Sequence, residues 1–275
     1  MKYIFLILLA ITILIYLLNR TIQEGFSTLK QYNVIFGATL RDVEEYLEKI
    51  LDHIDRCGQK FNTYALVIYE NDSKDNTRKI LETKKKENYF YIIEDGINEP
   101  LRTARIANGR NKVVEKVNEL NATNAYQYLI ILDMDDVNVS GKFVDTIDTC
   151  FSDMNWDVLT GNQSTLYYDM WALRKKGLLD WDCMIEHSKA VASGMPVEES
   201  DRKNIHVISK FDAGQRIDVD SAFGGVAIYK LSSIGDCRYN GRYEDGNEKC
   251  EHVDFHKCIK DNGGSIFINT DFLTY

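Results

Sequence analysis

Between residues 33 and 132, apolar and polar positions recur in a pattern that predicts four strands separated by three helices. Asn33-Val34-Ile35-Phe36-Gly37 is a short apolar run closed by glycine, a first strand. Val43, Tyr46, Leu47, Ile50, Leu51 and Ile54 then recur at helical spacing, with Gly58 as the stop. Tyr64 to Tyr69 is a second apolar run, followed by a polar turn and a helix from about Asp75 to Lys86. Tyr89 to Ile93 makes a third strand. Ile106, Val113, Val114 and Val117 mark one face of a long helix from Arg102 to Leu120. Tyr128 to Leu132 is the fourth strand and runs directly into acidic residues.

Beyond Leu132 the pattern is less regular. Ser188 to Asp212 is polar and contains Pro196, and reads as a mobile loop. Glu251 to Asp261 is expected to be helical, and Ile266-Phe267-Ile268 a final strand. The alternation predicts an α/β fold, a Rossmann-like and mainly parallel sheet flanked by helices. Ligands of such sheets bind beyond the carboxyl ends of the strands, so the polar clusters after the second and fourth strands are the places to look for chemistry.

The N-terminus departs from this pattern. Tyr3 to Leu18 is almost entirely apolar, between Lys2 and Asn19-Arg20. At about 1.5 Å per residue it reaches roughly 24 Å, which suits a thin bilayer. No small-x-small cleavage site follows the run, so a retained signal anchor is expected rather than a cleaved peptide. The expected organisation is a single-pass transmembrane segment over 1–20, a stem over 21–31 and one domain over 32–275, held at a membrane of the secretory pathway.

Composition narrows the partners. A hydrophobic content of 44% with only 2 prolines excludes wholesale disorder, and a net charge of −9 without a basic block excludes nucleic acid as the main partner. Cys57, Cys150, Cys183, Cys237, Cys250 and Cys258 form no C-x-x-C pair, which excludes a zinc ribbon or thioredoxin-type site. Their spacing allows disulfides and buried thiols alike.

Three clusters carry candidate chemistry. The fourth strand ends Leu132-Asp133-Met134-Asp135-Asp136. A D-x-D at a strand end can hold Mn²⁺ or Mg²⁺ through hard oxygen ligands, and the ion then neutralises a diphosphate; the plain alternative is a solvated turn or a helix cap. The second strand ends Glu70-Asn71-Asp72-Ser73-Lys74-Asp75-Asn76-Thr77, where Glu70 or Asp72 could accept hydrogen bonds from a nucleobase or ribose, or serve as turn chemistry. The third helix opens with Arg102, Arg105 and Arg110, spaced to reach a diphosphate.

Taken in order, Glu70-Asn71-Asp72-Ser73-x-Asp75-x-Thr77, Arg102-x-x-x-Ile106-Ala107-x-x-Arg110-Asn111 and Asp133-x-Asp135 resemble a nucleotide-sugar glycosyltransferase of the GT-A fold. Tyr168-Asp169-Met170-Trp171-Ala172-Leu173-Arg174 resembles the YD-x-W-x-x-R element of the fungal capsule mannosyltransferase family, followed in order by Ser221 to Ala227 and Cys250 to His256. Where that family's acidic strand end often reads Asn-Asp-Val, this chain carries the fuller D-x-D.

The resemblance implies a metal-dependent hexosyltransferase that uses a nucleoside-diphosphate sugar, GDP-mannose being the donor of the family type, and a glycan or glycoprotein acceptor. It implies Glu70, Asp72, Arg102, Arg110 and Asp133 at the nucleotide, Trp171 and Arg174 on the donor-sugar or acceptor side, and Gly224 and Gly225 where the backbone approaches the donor sugar. Asp133, Asp135 and His252 would hold the metal, and Glu251 with Asp169 would be catalytic. Two other functions share the fold: a sugar-nucleotide nucleotidyltransferase, which should carry a Gly-rich loop after the first strand, and a non-catalytic sugar-binding module, which should have lost the acids.

Overall fold

The computed structural model describes residues 11, 29–123, 125–206 and 210–275. One eight-stranded sheet runs through the domain. Its strands are β1 (Asn33–Leu40), β2 (Thr63–Asn71), β3 (Tyr89–Glu94), β4 (Tyr128–Leu132), β5 (Val158–Asn162), β6 (Arg216–Asp218), β7 (Val226–Lys230) and β8 (Ile266–Leu273). Their spatial order is β3-β2-β1-β4-β7-β5-β8-β6. The longer helices are α1 (Glu44–Gly58), α2 (Thr77–Thr83), α3 (Arg102–Leu120), α4 (Cys183–Ala192) and α5 (Glu251–Asp261).

The period of two along each strand splits the core between the two faces. Val34 and Phe36 of β1 pack with Leu66 and Ile68 of β2 and with Leu47, Ile50 and Ile54 of α1. Ile35, Val67, Leu129 and Ile131 face the other way, onto Val113 and Val117 of α3 and Phe255 of α5. A sheet covered on both sides explains why its strands are continuous apolar runs rather than alternating ones.

The expected mainly parallel sheet is a mixed one. β1 is parallel to β2 and β4, β2 to β3, and β5 to β8. However, β7 runs antiparallel to both β4 and β5, and β6 antiparallel to β8. The regular strand–helix alternation on which the expectation rested stops at Leu132, and a parallel neighbour needs a crossover of that kind.

Ser188 to Asp212, expected as a mobile loop, is largely helical: α4 covers its start, Val197–Ser200 forms a short helix and Asp201–Ile205 a wider turn. Asp182 explains the onset, because its Oδ1 accepts from the backbone N–H groups of Met184 at 3.0 Å and Ile185 at 3.2 Å. Pro196 directly precedes the second helix, where its fixed φ favours a start rather than a break. Helix α2 is shorter than the expected span from Asp75 to Lys86, and the Asp75 carboxylate accepts from Thr77 N at its start.

Cys237 and Cys258 form a disulfide, whereas Cys57, Cys150, Cys183 and Cys250 are buried free thiols. Apart from Ile11, the apolar run 3–18 expected as an anchor lies outside the described residues. Among the described residues no helix is long and apolar enough to cross a membrane.

Candidate active site

In the parallel half of the sheet, the chain steps outward from β1 to β2 and β3 on one side and places β4 on the other. That reversal opens a crevice at the carboxyl ends of the strands. A cleft of about 400 Å³ occupies it, lined by Thr39 and Leu40 from β1, Asn71 from β2, Arg102, Arg105 and Arg110 from α3, and Asp133 and Asp135 after β4.

The loop after β2 is fastened to the loop after β1. Asp42 N donates to Ser73 Oγ (3.0 Å), Lys74 N to Asp42 Oδ1 (2.7 Å), Val43 N to Thr77 Oγ1 (2.9 Å) and Asn76 N to Glu44 Oε2 (2.7 Å). Glu70 is fully buried; it accepts from Ser73 N at 2.8 Å and pairs with Arg78, which also pairs with Asp95. Asp72 adopts a left-handed φ of 54° and accepts from the backbone N–H groups of Gly96 (2.6 Å) and Ile97 (3.2 Å). The side-chain amide of Asn71 and these N–H groups hold its carboxyl below the usual range. Glu70 and Asp72 therefore bind their own chain, and it is Asn71 between them that reaches the cleft wall.

Behind the cleft, two carboxyl groups pair with one guanidinium, and two more, Asp135 and Asp169, stand near enough to act on Asp133. Arg110 is buried; it pairs with Glu251, donates to Nε2 of His252 and reaches Asp133 Oδ1 at 2.9 Å. Its guanidinium carbon lies 4.8 Å from the centre of the Phe223 ring, a cation–π contact that also covers the charge from solvent. Asp169 accepts from Gly224 N at 2.9 Å and more weakly from Ala172 N at 3.4 Å. Burial first, and then the repulsion of Asp135, Asp169 and Glu251, pushes Asp133 up to about 8 in spite of Arg110. Burial also raises Asp135, and pushes Asp169 up to about 6. With Arg110 inside the cluster and Arg102 acting on Asp135 from the cleft wall, full ionisation of all four acids stays unfavourable, which a bound cation would relieve.

Arg110 can only donate, so Nε2 of His252 accepts and the ring proton sits on Nδ1, which is buried without a hydrogen-bond partner among the described residues. Burial and the neighbouring guanidinium keep this ring neutral. His252 is thus held by Arg110 and is not brought to the D-x-D as a third ligand. Among the described residues no three His, Cys, Asp or Glu side chains converge as a metal set.

Asp133 and Asp135 nonetheless fit a divalent ion. Arg110 takes one oxygen of Asp133, and Val137 N donates to Oδ1 of Asp135 at 3.3 Å, so each keeps an oxygen with no hydrogen bond from the described residues. Two carboxylates at a cleft floor are the usual protein share for Mg²⁺ or Mn²⁺, which draw their other ligands from phosphate and water.

Gly224 and Gly225 both have positive φ, 68° and 85°. A Cβ at Gly224 would stand 2.4 Å from the Gly161 carbonyl oxygen, and one at Gly225 2.4 Å from Val137 Cγ1. This tight passage lets Gly225 O accept from Asp133 N at 3.0 Å and from Asn138 Nδ2 at 2.8 Å, which sets the D-x-D in place. Trp171 and Arg174 do not line the cleft. Trp171 Nε1 (3.2 Å), Arg174 Nη2 (2.9 Å) and Tyr243 Oη (2.9 Å) all donate to Asp182 Oδ2, tying this segment to the start of α4.

Solved structures similar to this chain include residues 1–349 of TarS from S. aureus, at 14% identity and a TM-score of 0.46, covering 87% of this chain and 58% of that one. Glucosyl-3-phosphoglycerate synthase from Mycobacterium tuberculosis in complex with phosphoglyceric acid is similar at 11% identity and a TM-score of 0.49, covering 90% of this chain and 72% of that one. The same synthase with Mn²⁺, uridine diphosphate and glucosyl-3-phosphoglycerate gives 10% and 0.48, over 90% and 72%. No family model and no curated protein sequence matches the chain.

Proposed function

We propose that the chain is a glycosyltransferase that takes a hexose from a nucleoside-diphosphate sugar and passes it to a glycan or glycoprotein hydroxyl. The observation that carries this reading is the cleft at the β1/β4 reversal, with arginines on its α3 wall and an over-acidic D-x-D at its floor. Positive charge on one wall and crowded carboxyls at the floor, which a cation would hold ionised, suit a diphosphate bridged by a divalent cation, Mn²⁺ or Mg²⁺. When bound, that ion would neutralise the leaving diphosphate, held by Asp133 and Asp135.

The chain's own residues divide the remaining work. Arg102 is exposed at the cleft and, among the described residues, has no ion-pair partner, so it is the freest cation for phosphate oxygens. Arg105 is anchored to the carbonyls of Glu99 (2.6 Å) and Pro100 (2.9 Å), which places its charge without freeing it. Asn71 and the backbone at Thr39 supply neutral hydrogen-bonding groups for a base or ribose. Glu70 and Asp72 shape the loop that carries Asn71. For proton removal from the acceptor hydroxyl, Asp169 suits better than Glu251. A carboxyl near 6 changes charge close to neutral pH, whereas Glu251 is neutralised by Arg110.

Anchoring at a secretory-pathway membrane through residues 3–18 belongs to the same reading. The Cys237–Cys258 disulfide supports an oxidising compartment. The deciding experiment is calorimetric titration with UDP and GDP, with and without Mn²⁺, followed by a screen of nucleotide sugars that includes GDP-mannose. Metal-dependent binding of one nucleotide and cleavage of its sugar are expected; no binding with either nucleotide removes the reading.

A further inference from the structure

The cleft occupies the β1 side of the D-x-D; on the β7 side the wall is aromatic. Gly225 flanks Asp133 there, and a Cβ placed on it would lie 3.1 Å from the hydroxyl of Tyr168. Tyr168 keeps 39% of its surface exposed, while the preceding Tyr167 is buried in the core. The hydroxyl end of Tyr168 is the inner end: burial, then Asp169, Asp133 and Asp135, raise its phenol well above its ordinary value. Its ring centre lies 6.2 Å from that of Tyr275, with the planes tilted by 35°.

Tyr275 is held in place rather than trailing. Its carbonyl accepts from Ser164 N (2.9 Å) and Ser164 Oγ (2.8 Å), and the preceding Thr274 N donates to Asn162 O (3.0 Å). Ser164 is in turn met by Lys142 Nζ at 3.1 Å. Two positioned tyrosine faces therefore stand at the edge of an acid cluster, on the opposite side from the nucleotide cleft.

We propose that Tyr168 and Tyr275 form the platform on which the acceptor pyranose stacks. A pyranose offers an apolar C–H face to an aromatic ring and keeps its hydroxyls at the edge, which is the match an amphipathic tyrosine provides. Stacked there, one sugar hydroxyl lies toward Asp169 while the donor approaches from the cleft, with the D-x-D between the two. The platform selects a pyranoside as the class of acceptor, in preference to a flexible alcohol or a serine side chain with no ring face. This inference rests on the proposed glycosyl transfer, since it assigns the second substrate of that site.

The test is saturation-transfer NMR on the full-length chain in detergent, with methyl glucopyranoside, galactopyranoside and mannopyranoside as probes. Wild type, Tyr168→Phe, Tyr168→Ala and Tyr275→Ala are compared, with circular dichroism as the folding control. At least one pyranoside should give signals that survive in Tyr168→Phe, which keeps the ring, and weaken about fivefold or more in the two alanine variants. Calorimetry with Mn²⁺ and UDP or GDP on the wild type separates the two ideas. Nucleotide binding with no pyranoside signal, or with signals unchanged in folded Tyr168→Ala and Tyr275→Ala, overturns the platform and leaves glycosyl transfer standing. Ring-dependent pyranoside binding without any nucleotide binding supports the platform and removes the transferase.

Discussion

Arg110 and Glu251 stand 141 residues apart in sequence and share a buried ion pair at the meeting of α3 and α5. The pair places the late helix against the helix that lines the cleft. It also consumes the charge that Glu251 would need to act alone as a base. Because Arg110 reaches Asp133 as well, any change in charge at the D-x-D is felt by α5.

Asp135 offers the cleanest test of the cation site. In Asp135→Asn the amide oxygen still accepts from Val137 N, so the turn after β4 keeps its cap. Metal-dependent nucleotide affinity should fall while the melting temperature barely moves. Titration of UDP and GDP with Mn²⁺ measures the first and a thermal melt the second; full affinity in the variant would place the cation elsewhere.

Stability without metal should decline as pH rises. Asp133 is pushed up to about 8 and Asp169 to about 6, both above the ordinary carboxylate value of 3.8. For such groups the folded state holds its proton more tightly, so their stabilising contribution is complete below pH 3.8. It is lost as pH climbs through about 6 and then about 8. Melts between pH 5 and 9 should show this decline, shallower in Asp133→Asn and shallower again with Mn²⁺ present. A flat wild-type profile would contradict the crowded-acid picture.

The disulfide makes a separate claim on stability. Cys237 and Cys258 are separated by 21 residues and tie α5 to the loop that carries Tyr239. Closing a loop of that length is worth roughly 3 kcal/mol in the chain-entropy account. Reduction should therefore lower the melting temperature by about 5–10 °C. Cys237→Ser should reproduce the drop and make the protein insensitive to reductant.

Much of this was legible in the sequence as far as Leu132. Val34 to Phe36, Leu66 to Ile68 and Leu129 to Ile131 are apolar runs long enough to mark buried strands, and Val113 and Val117 mark the covering helix. The cleft followed, because strand ends in a parallel sheet are where polar residues collect.

What escaped was set by contacts across the chain. The sequence cannot show that Arg110 would take His252 Nε2, which removes that histidine from the D-x-D, or that Trp171 and Arg174 would both turn to Asp182. Glu70 and Asp72 stand out in the sequence as acids at a strand end. Their backbone partners at Ser73, Gly96 and Ile97 appear only once the loops fold together. The strand β7 had a weak signal, Val226 to Tyr229 after two glycines, but its antiparallel direction depends on where the intervening chain goes.

The catalytic base separates two acids that the sequence placed side by side as candidates. Asp169 is only partly buried, has one firm hydrogen bond from Gly224 N, and is pushed up to about 6. Glu251 is buried against Arg110. If Asp169 takes the acceptor proton, kcat/KM should rise with pH through about 6, since only the ionised carboxyl accepts a proton. Asp169→Asn should lower kcat by about 10²-fold and abolish that limb, with nucleotide affinity retained. The amide oxygen can still accept from Gly224 N, which keeps the Gly224–Gly225 passage in shape. Glu251→Gln should behave differently: it leaves the buried guanidinium with less compensating charge, so it should lower the melting temperature by more than Asp169→Asn does. Any rate loss in Glu251→Gln should keep the wild-type pH profile. Steady-state rates across pH 5 to 8 for both variants, with melts alongside, decide the matter. A pH limb that survives in Asp169→Asn and vanishes in Glu251→Gln would exchange the two roles.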